Sequence, residues 1–245
     1  EGIHFAFQRR EAIAELLLFQ STKAEGDKLR TIQDYVKDMK EGQGEIFYIT
    51  AESLDEALNS PYLEAFKEKD YEVLIMLDDI DDIVMSSLEY KGKKLKSVIK
   101  GDVTLDNSNK EEKEKAGKKY KALLDLIKDR LKDDVKDVRL SGRLRDSACC
   151  LVADEGEMDA QVEKLLRQMG QDVPRNLRIL EINPAHPILH SMNGMFEKDR
   201  NSPLLQEYVD LLYNQALLLE GSKPKDSAAF AKAIAKLMVE NVGHN

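Results

Sequence analysis

Three short runs hold the residues best equipped for chemistry. In "NPAHPILHSM" His186 and His190 stand four apart, a spacing that could set two imidazoles on one helix face around a metal ion. No Glu follows the first His in the H-E-x-x-H manner, and Pro187 sits between the two. The local pattern reads more simply as a helix start, with Asn183 as N-cap and Pro184 in the first helical position. In "LDDIDDIV" Asp78, Asp79, Asp81 and Asp82 crowd four carboxylates into five positions, enough charge for a hard cation. The run lacks the D-x-[DN]-x-[DN]-G spacing and distal Glu of a calcium loop. Acids at a helix start are also what the helix dipole favours. Cys149 and Cys150 are adjacent, without C-x-x-C spacing, which indicates neither a zinc site nor a disulfide framework. Two reduced thiols on a strand of a cytosolic protein are the expectation.

Other catalytic patterns are missing. The sequence holds no G-x-x-x-x-G-K-[ST] or G-x-G-x-x-G stretch to cradle a phosphate, and no G-x-S-x-G elbow to present a nucleophile. Its residues alone argue for an interaction protein; the alternative is a metal-dependent protein or enzyme built on His186 and His190 or on the Asp78–Asp82 cluster. The 245 residues allow one large domain or two ordinary ones, and a 42% hydrophobic fraction can fill a core. With net charge −9 there is no basic footprint for nucleic acid. No apolar run approaches the roughly 18 residues that would indicate a membrane span. The chain has no initiator Met or signal peptide and is expected to begin inside a longer protein.

The elements that would position these groups follow from periodicity. Helical patterns cover about 8–20 and 29–39; "EIFYIT" (45–50), "YEVLIML" (71–77) and "KKLKSVI" (93–99) read as strands. Ser53 and Glu56 have capping-box spacing, Pro61 restarts a helix, and 81–88 reads as a short helix. Strands alternating with helices imply a parallel sheet, so the first half is a small α/β unit. "DNSNKEEKEKAGKKYK" (106–121) holds no large aliphatic residue and contains the domain boundary, its end forming the polar start of a helix that runs through 120–131. Strands at 135–140, 149–154 and 177–183 follow, then helices at about 184–197, 203–220 and 226–242.

One helix raises a separate question. In "DEGEMDAQVEKLLRQMGQDVP" (154–174) Met158, Val162, Leu165, Leu166 and Met169 make one stripe on a 3.6-residue period. The stripe either faces the chain's own core or serves as a binding surface. The helices near the C-terminus pose the same choice. Leu205, Val209, Leu212, Ala216 and Leu219 form one stripe, Leu204, Tyr208, Leu211 and Leu218 a second beside it, and Phe230, Ile234, Leu237 and Met238 a third on the last helix. Helices apolar over so much of their circumference need cover on two sides. The expectation is one layer from the domain itself and another from a second copy, forming a two-fold four-helix bundle in a homodimer.

The runs "EAIAELLLFQSTK", "DYVKDMKEGQGEIFYITAES", "SPYLEAFKEKDYEVLIMLDDID", "VKDVRLSGRLRDSACCLV", "EINPAHPI" and "LLYNQALLLEG", in that order, resemble the heat-shock protein 90 chaperones in their bacterial form. The resemblance spans nearly the whole chain. It implies that residues 1–112 are the last part of the family's middle domain and 113–245 an α+β dimerisation domain. It implies a cytoplasmic ATP-dependent chaperone whose ATP and Mg bind in an N-terminal domain outside this chain, so that this part needs no cofactor and is not itself an enzyme. It implies non-native client proteins as partners, met by Met158, Val162, Leu165 and Leu166 and by a middle-domain segment that maps onto Asp82, Ile83 and Ser86. Two positions depart from the pattern there: Ile83 stands where relatives carry Trp, and Leu18 where Arg is common. The ending "VENVGHN" lacks the acidic tail that recruits helical-repeat cochaperones in eukaryotic members.

Overall fold

The computed structural model describes residues 14–24, 26, 28–78, 81–85, 88–103, 105, 110–174 and 176–242. By contact the chain divides into two compact units, Glu1–Leu105 with Glu155–Arg175, and Asp106–Asp154 with Asn176–Asn245. Residues 155–175 therefore group with the first unit, whereas the sequence reading placed them with 113–245.

In the first unit, residues 8–13 of the helix expected over 8–20 lie outside the described residues, Ala14 is helical, and after a turn the chain continues as an alternating strand. Leu18–Ser21 is strand β1, with Phe19 and Ser21 buried and Leu18 exposed. Of the helix expected over 29–39, Arg30–Thr31 is instead strand β2, and helix α1 runs Ile32–Lys37 with the Thr31 hydroxyl accepting from the Asp34 N–H. Strand β3 (Ile46–Thr50) is buried at every position, which fits a strand covered on both faces. Helix α2 (Leu54–Leu58) starts under its Ser53 cap as the spacing predicts; a 3-10 turn at Pro61–Leu63 leads into α3 (Glu64–Glu68). Strand β4 (Leu74–Met76), helix α4 (Asp81–Met85) and the hairpin of β5 (Glu89–Tyr90) with β6 (Lys93–Ser97) complete the order.

The sheet runs β2-β1-β4-β3-β6-β5. Its centre is parallel, with Tyr48 opposite Leu74 and Phe47 opposite Lys96. Both edges are antiparallel. The parallel sheet expected from the sequence is thus a mixed one: the hairpin and β1 add strands that reach their neighbours without a helical crossover. The Tyr35 hydroxyl ties α1 to the sheet, donating to Glu72 O at 2.8 Å and accepting from the Phe47 N–H and Gln43 Nε2, each at 3.0 Å. On β3, Phe47 stacks edge-on against Phe66 of α3 at 4.9 Å.

The second unit is α+β. Helix α5 (Lys110–Arg130) leads into β7 (Val135–Leu140), and β8 (Cys149–Val152) and β9 (Arg178–Ile182) complete a sheet ordered β7-β9-β8. Strand β9 is central, parallel to β7 and antiparallel to β8. Helices α7 (Pro187–Lys198) and α8 (Pro203–Leu219) pack with α5, and Leu123, Ile127, Leu180, Leu189, Leu205 and Leu212 share its core. Helix α9 (Ser227–Val242) packs on α8.

Candidate functional site

Helix α6 (Ala160–Gln168) carries the stripe in question and is shorter than the 154–174 pattern. Asp159 caps it, Oδ1 accepting from the Val162 N–H at 2.9 Å. Its far end closes on Gly170, whose φ of +77° is a backbone state that glycine adopts without Cβ strain. There the Gly170 and Gln171 N–H groups donate to Arg167 O and Leu166 O, both at 3.0 Å. The first unit covers the stripe unevenly. Val162 is 2% exposed, Met158, Leu165 and Leu166 are half-buried, and Met169 is 65% exposed. Val162 thus belongs to the unit's core, a correction to its expected place on a binding face. The side chains left for contact are Met158, Leu165, Leu166 and the outlying Met169.

Of the second expected segment, Asp82 lies on α4, buried, with Oδ1 accepting from the Tyr48 hydroxyl at 2.8 Å and Oδ2 paired with Lys100. Burial raises the Tyr48 phenol first, and the neighbouring Asp82 charge raises it further. A carboxylate so engaged is not available to an outside partner, which corrects its expected contact role. Ile83 is on α4 with its side chain outside the described set, and Ser86 lies outside the described residues.

The metal candidates do not assemble. His186, not Asn183, caps α7: its Nδ1 accepts from the Ile188 N–H at 3.2 Å and Pro187 takes the first helical position. Asn183 is occupied elsewhere, its Nδ2 donating to Arg145 O at 2.8 Å and Ser147 O at 3.0 Å. His190 is exposed. Burial raises the Asp81 carboxyl, partly offset by the Asp78 N–H; Asp79 lies outside the described residues. Among the described residues no group of three or more His, Cys, Asp or Glu side chains could hold a metal ion. Cys149 and Cys150 are buried on β8 and form no disulfide, and burial pushes the Cys149 thiol up to about 12.

The C-terminal stripes separate cleanly. Leu205, Val209, Leu212 and Ala216 are all in the unit's own core, a correction to their expected place at a subunit interface. Leu204, Leu218 and Leu219 on α8 are exposed, as are Ile234, Met238 and Val239 on α9, with Phe230 and Leu237 half-buried. No described helix is long and apolar enough to cross a membrane.

One feature of this unit has no counterpart among the sequence candidates. Arg143 is fully buried with its Nε donating to Glu181 Oε2 at 2.9 Å, while Arg139 Nη2 and Ser141 Oγ donate to the same carboxylate, each at 2.8 Å. Burial alone would raise the Glu181 carboxyl, but the Arg143 and Arg139 guanidiniums hold it below its ordinary value. The visible signal was a Ser and two Arg in "RLSGR" and an acid set between Leu180 and Ile182 in "RILEI".

The sequence pattern described as "Hsp90 protein" matches residues 1–245. Proteins named Chaperone protein HtpG from Geobacter metallireducens and Geobacter sulfurreducens are each 47% identical over 245 residues, which covers 98% of this chain and 38% of theirs. A protein of that name from Coxiella burnetii is 42% identical over 246 residues, with the same coverage. The chain therefore spans about 38% of the length of these curated relatives.

Proposed function

The chain belongs to the Hsp90 protein family, and we propose that it supplies two surfaces of a cytoplasmic, stress-responsive, ATP-dependent chaperone: a client-binding face on α6 and a homodimer interface on α8 and α9. The ATP and Mg of the whole protein bind in a domain outside this chain, which contributes contact surface and no catalysis of its own.

The observation that carries the client reading is the uneven cover of α6. A helix that served only its own core would bury its apolar stripe along its length. Here burial is complete at Val162 alone, and Met158, Leu165, Leu166 and Met169 keep surface to offer. Methionine suits contact with varied sequences, because its flexible, polarizable side chain adapts to many shapes. For the dimer, the exposed residues of α8 and α9 face away from the unit's core, and pairing them with a second copy closes a four-helix bundle. Metal chemistry at His186 and His190 is not favoured, since among the described residues no group of three or more His, Cys, Asp or Glu side chains could hold a metal ion.

The test is a double variant, Met158→Ala with Leu166→Ala, measured for denaturant midpoint and for suppression of aggregation of an unfolded model substrate. The midpoint is expected to fall by less than the roughly 2–5 kcal/mol that truncating fully buried Leu or Met costs. Suppression is expected to drop. A full core-sized loss of stability with unchanged suppression would mean that the stripe only holds the fold together.

A further inference from the structure

A buried ion cluster lies under the start of α6, and the client reading makes no use of it. Lys100 follows β6, with its side chain 13% exposed; the side chains of Asp82 and Asp159 are each 6% exposed. The Lys100 ammonium pairs with Asp82 Oδ2 and stands 3.9 Å from Asp159 Oδ2. The other oxygen of each carboxylate is occupied: Asp82 Oδ1 by the Tyr48 hydroxyl, Asp159 Oδ1 by the Val162 N–H. One cation therefore joins α4 to the cap of α6. A second tie lies on the surface, where Lys164 Nζ meets Glu52 Oε1 at 2.6 Å.

Val162 follows Asp159 by one turn and receives its cap, so the link that fixes Asp159 also holds Val162 against the unit. Beyond Val162 the apolar side chains of α6 are only half-covered, so its packing against the unit is sparse and the two ion pairs add to it. A short helix held this way belongs to the low-stability end of a fold, where local opening requires little free energy.

We propose that Lys100 is a positioning residue that latches α6 in a retracted state, and that releasing the latch displays Met158, Leu165 and Leu166 more fully as one continuous client-binding face. The proposal rests on the client reading of α6. It makes the face adjustable: a client that engages Met158 and Leu166 competes with the Lys100–Asp159 link for the position of the helix.

Asp159→Asn isolates the link. Asn is as good an N-cap as Asp, so the hydrogen bond to Val162 is kept, and Lys100 keeps Asp82 as its partner. In the full chain, amide exchange over 160–168 is expected to quicken by about tenfold, equivalent to one or two kcal/mol of local stability. Exchange over α5 should stay as it was, and aggregation suppression should rise. Lys164→Glu, which sets like charges against each other at Glu52, should quicken the same amides, with Glu52→Lys added to it restoring them. Unchanged exchange over 160–168 in Asp159→Asn overturns the latch. Faster exchange without a gain in suppression keeps the latch as a structural link but overturns its role in client display, whereas the double variant Met158→Ala with Leu166→Ala tests the client reading separately. Should Asp159→Asn lose protection in α5 as well, Lys164→Glu decides by the same criteria.

Discussion

Val162 and Glu181 are single residues whose surroundings decide how they respond to change. Val162→Ala removes apolar surface from a site that is 2% exposed, so it should cost about 1.5–3 kcal/mol. Met169→Ala on the same stripe, at a site 65% exposed, should stay within about 0.5 kcal/mol. Denaturant midpoints of the two variants measure the difference, and equal losses would contradict the burial pattern. Glu181 answers to pH. Its folded pKa lies below the ordinary 4.5, because two guanidiniums outweigh the burial that would raise it. The stabilisation is therefore complete above about pH 4.5 and is lost as pH falls through the depressed folded value. Glu181→Gln should flatten that acid limb and, by leaving Arg143 buried without a counter-charge, cost roughly 3–5 kcal/mol at neutral pH. Urea unfolding from pH 7 to pH 3 in both forms checks it. Neither behaviour was legible from spacing. Arg143 and Glu181 are 38 positions apart, and nothing local pairs them. Asn183 misled for a related reason: its type and its Pro184 neighbour suit a cap, but its amide is spent on Arg145 O and Ser147 O.

At the scale of elements, the most legible were those whose pattern is local. Ser53 caps α2 through its own neighbour Glu56, and β7 spans the expected 135–140. Strand β1 was hidden, because "LLLF" satisfies a helical period as well as an alternating one. Antiparallel pairing with β4, through Gln20 opposite Ile75, resolves the ambiguity, and that partner lies far along the chain. The hairpin of β5 and β6 was missed since a two-residue strand leaves little alternation to detect. Helix α6 ends on a local signal: Gly170 stops it through the two closing hydrogen bonds. A Cβ at Gly170 would meet nothing within 4 Å, so the cost of Gly170→Ala is conformational alone. At φ +77° that should be about 1 kcal/mol or slightly more, concentrated in α6. Amide exchange should show faster opening over 160–168 while α5 keeps its protection, and a uniform change across both helices would deny that α6 opens as its own unit.

For the whole molecule, the sequence reading placed a polar boundary within 106–121, between domains of 1–112 and 113–245, but it could not show that residues 155–175 group with the first unit. Within that unit Lys100 and Glu52 meet residues of a helix more than fifty positions downstream, contacts that no local pattern encodes. The assembly expectation changes similarly in its details. The stripe through Leu205, Val209 and Leu212 is consumed by the unit's own core, which leaves Leu218 and Leu219 of α8 and Ile234, Met238 and Val239 of α9 exposed as the residues of the proposed dimer contact. The two sets of residues should then separate stability from association. Leu212→Ala should lower the midpoint of the protomer by about 2–5 kcal/mol, as a cavity in a filled core does. Met238→Asp, at a site 66% exposed, should leave the isolated protomer almost unchanged while placing a charge in the apolar seam between copies. Removing residues 222–245 deletes α9 and should have the same effect on association, with the inner stripe of α8 still covered. Because a dimer that binds only the folded state is stabilised by mass action, the native chain should melt higher as its concentration rises. Sedimentation velocity over a hundredfold range of concentration reads all three variants. A dimer that survives Met238→Asp and the deletion alike, with a concentration-dependent melt, would place the interface somewhere other than α9.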